Sequence, residues 1–482
     1  MAGVRRGRFE RALIVTHRWV GIVLALLMAL WSVSGIVMLY VAFPELTASE
    51  RFEGLDGLEL GNCCTAAAGD LLEGADEIVV SMTAGRPVAR IGAGFGTPAT
   101  LDLVSGNWLQ QVPRSLAETV AASHLAARGF ATTVAETTSI HNDQWTVYQR
   151  FNAHRPLYKV TFDGDRGDVI YVSGTTAEVV QDTHVHERFW NWLGAVPHWL
   201  YYTAFRERQS LWYQFIVYAS LAGTLLLATG LYLGVKRMLE ARGRWTRYLG
   251  PMRWHHLTGL IFGLLTFTWV ISGLFSMNPW GWLESRGANE DLARLQRAPL
   301  HAGAINSILQ RAVENIDDDT VMLTIASGDS GASVFTVQRD SRRARLDPAS
   351  FAADLVDEQE LVTRLGKMRP DANIDELVLL DTEDAYYFGH KAAVRLPVYR
   401  AILDDAERTR YYFDADTGLL LSRIDRPGKQ YRWLHHGLHR LDFASLLRSR
   451  PIWDIVILPL LIGVSGLCLI GCWIGYRHIR YR

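Results

Sequence analysis

Apolar residues along this chain gather into four long blocks, at 19–43, 211–235, 254–277 and 455–476, none of which contains Asp, Glu, Lys or Arg. A helix of roughly 20 apolar residues crosses the hydrocarbon core of a bilayer, and every block reaches that length. Between the blocks the pattern changes to short periods. Residues 116–127 carry a helical spacing of apolar positions after Ser115, a plausible cap. Alternating runs at 157–162, 169–172, 398–403 and 410–413 read as strands. Asp163-Gly164, Ser173-Gly174 and Asp416-Thr417-Gly418 divide them in the manner of an antiparallel meander. Earlier hairpins around 88–103 and 334–346 suggest two such units per half.

The expected fold is therefore a membrane α-helical protein with four spans and α+β domains outside. The basic residues orient it. Arg5, Arg6, Arg8 and Arg11 precede the first block, Lys236, Arg237, Arg242, Arg244, Arg247 and Arg253 lie between the second and third, and Arg477, Arg480 and Arg482 follow the fourth. Only Glu10 and Glu240 oppose them, so the positive-inside rule places all three segments in the cytoplasm. The first block is too long for a cleaved signal and reads as a retained anchor. The expected division is 1–43 for the cytoplasmic N-terminus and first span, 44–210 for an outer domain, 211–235 for the second span and 236–253 for the basic loop. Then follow 254–278 for the third span, 279–451 for a second outer domain, 452–476 for the fourth span and 477–482 for the tail. With a formal charge of −1 and its basic residues at the membrane flanks, the chain is expected to touch lipid and no nucleic acid. Cys63 and Cys64 are adjacent, a spacing at which neighbours rarely bridge, and Cys468 and Cys472 lie one helical turn apart in the fourth block. Packing is the expected role of both pairs.

The chain is also a duplication. A shift of 238 places His17 on His255, Gly21 on Gly259, Trp31 on Trp269, Ser34 on Ser272 and Gly35 on Gly273. A shift of 241 places Asp143 on Asp384, Tyr158 on Tyr399, Tyr171 on Tyr412, Trp192 on Trp433, His198 on His439 and Gly230 on Gly471. Each half is span, outer domain, span, so the halves share one orientation and are expected to be related by a pseudo-two-fold axis along the membrane normal.

That symmetry turns four histidines into two pairs. His17 and His255 open the first and third spans at the cytoplasmic face, and His198 and His439 precede the second and fourth at the outer face. A pair facing across a two-fold axis is what bis-imidazole ligation of a haem iron requires. Two b-type haems, one near each face, would make a two-step path across about 30 Å of hydrocarbon. Glycines in the spans could admit a flat macrocycle or simply close helix packing. His256, His435 and His436 stand beside the expected ligands, with Arg18, Gly194 and Ala195 at the equivalent positions, and are possible alternates; His435 and His436 could also line an external substrate site. Gly92-Ala93-Gly94-Phe95-Gly96 lacks the helix and acidic residue of a nucleotide loop.

The segment from Pro397-Val398-Tyr399-Arg400 through Tyr412-Phe413-Asp414-Ala415-Asp416-Thr417-Gly418, and its copy from Pro156, resembles the PepSY domain. The His17-x-Trp19-x-x opening, Trp31-Ser32-Val33-Ser34-Gly35, and Arg432-Trp433-Leu434-His435-His436-Gly437-Leu438-His439 are similar to the PepSY-associated transmembrane family. The resemblance covers nearly the whole chain. It implies a bacterial inner-membrane reductase with four spans and two haems, acting on ferric siderophores or other Fe(III) chelates in the periplasm. A cytoplasmic or quinol donor would supply electrons to the His17/His255 haem, and the His198/His439 haem would pass them on to Fe(III). Other PepSY proteins modulate peptidases. The alternative reading is accordingly a non-catalytic membrane protein that binds or regulates an envelope partner.

Overall fold

The computed structural model describes all residues except 1, 62, 66, 93–97, 296, 330, 390–392, 445, 446, 448 and 482, and, in the first helix, the side chains of 2–6. Of the glycine-rich loop only Gly92 falls among the described residues.

Four helices are long and apolar enough to cross a membrane: Ala2–Met38, Gln209–Leu239, Gly250–Ser276 and Ile452–Arg480. Each extends past the charge-free block that predicted it at its Arg- and Lys-bearing end. Arg and Lys are good helix formers, so polar flanks continue a helix that an apolar block has nucleated. The first span stops at Met38, five residues short of the expectation, and Phe43 packs instead on Trp145, Tyr148, Trp199 and Tyr201 in the outer region. Around the bundle the first span packs on the second and fourth, and the third packs on the same two. The first and third are therefore diagonal, as a two-fold through the centre demands. Met28, Ala29, Trp269, Ile457, Leu461, Val464 and Cys468 fill the middle. At the basic end of the bundle Glu10 pairs with Lys236 at 2.5 Å and Arg237 at 2.8 Å, tying the first span to the second.

Beyond the bundle lie three antiparallel sheets. One joins β4 (Val134–Ile140), β5 (Leu157–Phe162), β6 (Val169–Ser173) and β7 (Val179–Thr183) in sequence order. Its counterpart joins β11 (Ile374–Leu380), β12 (Val398–Leu403), β13 (Arg410–Asp414) and β14 (Leu420–Ile424). The copies agree to the irregularity: β4 and β11 slip register at Val134/Glu136 and Ile374/Glu376, and β6 and β13 at Tyr171/Val172 and Tyr412/Phe413. Tyr171 and Tyr412 each donate to the paired aspartate, Asp143 or Asp384, at 2.8 Å. A buried hydroxyl needs such a partner, which accounts for both members of each pair surviving duplication.

The third sheet departs from expectation. The early hairpins are not separate units. β1 (Glu77–Thr83), β2 (Arg86–Ile91) and β3 (Ala99–Asp102) of one half meet β8 (Thr320–Gly328), β9 (Gly331–Gln338) and β10 (Arg343–Leu346) of the other in a single six-stranded sheet, order β10-β9-β8-β1-β2-β3. The seam is β1 against β8, with Ile78 opposite Ile325 and Val80 opposite Leu323, all four fully buried. Neither hairpin has enough apolar area to stand alone; placed edge to edge they cover each other's unpaired backbone.

Two local expectations are also corrected. Helix Arg114–Ala127 starts after Pro113, without a side-chain cap, and Ser115 lies inside its first turn. Cys63 and Cys64 are joined in a disulfide against the core of the central sheet, while Cys468 and Cys472 remain free thiols in the bundle.

Candidate functional site: two histidine pairs on the axis

The helix pattern that buries the spans also aims their histidines. His17 and His255, on diagonal spans, face each other with ring centroids 6.3 Å apart. At the outer face His198, from the short helix Ala195–Trp199, meets His439, from Leu438–Arg440, at 6.4 Å. Two metal–imidazole bonds of about 2 Å, with about 1.2 Å of ring on each side, give a centroid separation of about 6.4 Å for one metal held between two imidazoles. Direct hydrogen bonding between rings would bring them closer, and ordinary packing imposes no common value. Fourteen residues of the first helix separate His17 from Trp31, the carbonyl neighbour of His198, which sets the pairs about 21 Å apart along the bundle.

Hydrogen bonding fixes which nitrogen each ring offers. Nδ1 of His17 lies 3.0 Å from the Leu226 carbonyl, Nδ1 of His198 3.0 Å from that of Trp31, and Nδ1 of His439 3.2 Å from that of Trp269. A carbonyl only accepts, so in each ring Nδ1 carries the hydrogen and the Nε2 lone pair is left for the partner side. Ser34 and Ser272, equivalent in the repeat, also approach these Nδ1 atoms at 3.1 and 3.0 Å. His255 stands against the Leu467 carbonyl, the repeat equivalent of Leu226, with Nδ1 outside hydrogen-bonding geometry. Anchoring of the distal nitrogen on a carbonyl is the usual support of a metal-bound imidazole. At the outer site burial pushes His198 down to about 4 and His439 well below its ordinary value, so both are neutral at pH 7, the form that ligates.

A glycine lies under every ring. A Cβ on Gly230 would stand 2.6 Å from Cε1 of His17, and one on Gly471 3.6 Å from that of His255. Gly35 and Gly273 would bring a Cβ to 3.6 and 3.7 Å from His198 and His439. Of these four, Gly230 makes room for the imidazole itself, a role that spacing along the chain could not distinguish from helix packing, while the other three stand at ordinary contact distance. Trp31 and Trp269 contribute their carbonyls to the outer pair. Arg18 is exposed.

The neighbouring histidines separate. His256 directs Nε2 at the Gly234 carbonyl, 2.9 Å away, which ties the third span to the second. His435 joins the outer site: its ring is 5.3 Å from that of His439, its Nδ1 is 3.2 Å from the Ser272 carbonyl, and burial takes its pKa down to about 3. His436 follows at 5.0 Å from His435. Among the described residues no group of three or more His, Cys, Asp or Glu could hold a metal ion. The donor chemistry and separation of both pairs, and the anchoring of three of the four rings, fit a haem iron.

No family model matches the chain, and no curated protein matches it.

Proposed function

We propose that this protein is a two-haem transmembrane electron carrier that reduces ferric iron, as a siderophore or other chelate, on the outer side of a bacterial inner membrane. One observation carries the reading: two symmetry-related histidine pairs at opposite ends of the bundle, each spaced for one metal between two imidazoles, with three of the four rings anchored through Nδ1. A bound haem supplies one-electron exchange at its iron. The chain's own residues orient the imidazoles, keep the pairs at a fixed distance, and surround them with apolar side chains. Both termini are cytoplasmic in this reading, so His17 and His255 form the entry site for a cytoplasmic or quinol donor and His198 and His439 the exit. Fe(III) is held by hard oxygen ligands that bind Fe(II) less tightly, so reduction releases the metal. The PepSY resemblance supports the same assignment.

The absorption spectrum of the purified protein tests it. Two haems per chain are expected, with His17→Ala or His255→Ala removing one signal and His198→Ala or His439→Ala the other. A folded protein with no Soret band would sink the proposal and favour a non-catalytic role for the outer sheets, such as binding an envelope peptidase.

A further inference from the structure

The repeat duplicates the frame of the outer site but not its filling. Trp145 contacts Trp192 edge-on at 6.2 Å, and the equivalent Tyr386 and Trp433 do so at 6.3 Å. Within this shared frame several positions differ in kind, and three of them line the site. Gly194, Ala195 and Trp199 of the first half correspond to His435, His436 and Arg440 of the second. On the first side the chain breaks at Gly194, and Trp199 packs on Phe43 and Tyr201 at 6.0 and 5.2 Å. On the second side Arg432–Gly437 winds as a single π-helical turn, a form that recurs at functional sites. It sets the rings in a row: His439 to His435 at 5.3 Å, His435 to His436 at 5.0 Å, and Tyr431 within 5.2 and 5.3 Å of those two. His436 and Tyr431 are half-buried, and Trp433, one turn away, is exposed. Arg440 lies within electrostatic reach of His435, His439 and Tyr431.

We infer that the second half alone carries the acceptor site, with His436, Tyr431, Arg440 and Trp433 receiving an anionic, oxygen-ligated Fe(III) complex and His435 lying between it and the outer pair. Arg440 and the imidazoles suit the oxygen donors of the complex, and the exposed Trp433 offers an apolar wall. In the two-haem reading, a haem held by His198 and His439 would be the one-electron reductant, so that Fe(III) of the bound complex would become Fe(II) with no covalent bond formed or broken. The electron's source rests on the two-haem reading; the binding site does not.

A redox-inert Ga(III) tris-catecholate complex, which is anionic and oxygen-ligated, titrated into the full-length protein and followed by tryptophan fluorescence and calorimetry, separates the two. Saturable binding is expected. His436→Ala, Arg440→Gln and Trp433→Ala should each weaken it at least tenfold, whereas Trp192→Ala, the counterpart of Trp433 in the first half, should leave it within twofold. Retention of the outer haem signal in His436→Gln would exclude a general loss of folding. Equal losses from Trp192→Ala and Trp433→Ala, or no saturable binding, would overturn the inference while leaving the haem count to decide the carrier itself. Gallium binding in a protein without haem would uphold the site and refute the carrier.

Discussion

At the scale of single residues, the histidine pairs were legible because duplication repeats them in register. Their tautomers were not, since a carbonyl that fixes Nδ1 lies some two hundred residues away in sequence, as Leu226 does for His17. The glycines show why symmetry in sequence does not guarantee symmetry in tolerance. A Cβ on Gly230 would drive the His17 ring aside, whereas one on Gly471 makes ordinary contact with His255. Gly230→Ala is therefore expected to remove most of the inner haem signal and leave the outer one, and Gly471→Ala to leave both; parallel haem titrations of the two variants decide it. A second residue-scale effect lies far from the axis. Burial pushes His124 from 6.5 down to about 4, and Asp182 from 3.8 up to about 6 against the pull of Arg128 at 2.8 Å. The lowered histidine gives stability that rises with pH between about 4 and 6.5, because the unfolded ring binds the proton more readily. The raised aspartate gives stability that is lost as pH rises from about 3.8 to 6. The two oppose each other over most of this window. His124→Asn should uncover the aspartate, so its melting temperature is expected to fall between pH 4 and 6 while the unaltered protein changes less.

At the scale of elements, strands β5 and β12 matched their sequence patterns residue for residue, because alternation and turn residues are local signals. Helix limits were less legible. An apolar block marks where a span is buried, while the helix continues into Arg-rich flanks that obey propensity instead. The π-turn at Arg432–Gly437 left no trace in spacing. Both halves have the same number of residues between β7 or β14 and the outer histidine, and one spends them on a break at Gly194, the other on a wider turn. The side chains available decide between these: Gly194 allows the chain to depart from the helix against Val37, while His435 is held in place by Ser272.

At the scale of the molecule, the seam between β1 and β8 could not be foreseen, since which edges meet depends on how the halves come together rather than on either sequence alone. Its ladder runs through Glu77↔Ala326, Ile78↔Ile325, Val79↔Thr324 and Val80↔Leu323, directly across the axis that relates the halves. Val79 and Thr324 are opposed and half-buried on the face away from the core, a separation that a disulfide can span. Val79→Cys with Thr324→Cys, oxidised, is expected to raise the melting temperature and leave the rate of haem reoxidation by an Fe(III) chelate within twofold; a large loss of rate would show that the halves must separate to work. Parallel-repeat membrane proteins that move cargo depend on one repeat rocking against the other. Here the repeats are stitched at the top, and rocking would tear buried strand pairs apart. In the proposed carrier that stitching would fix the distance an electron must cross, as a rigid mount fixes the electrodes of a cell.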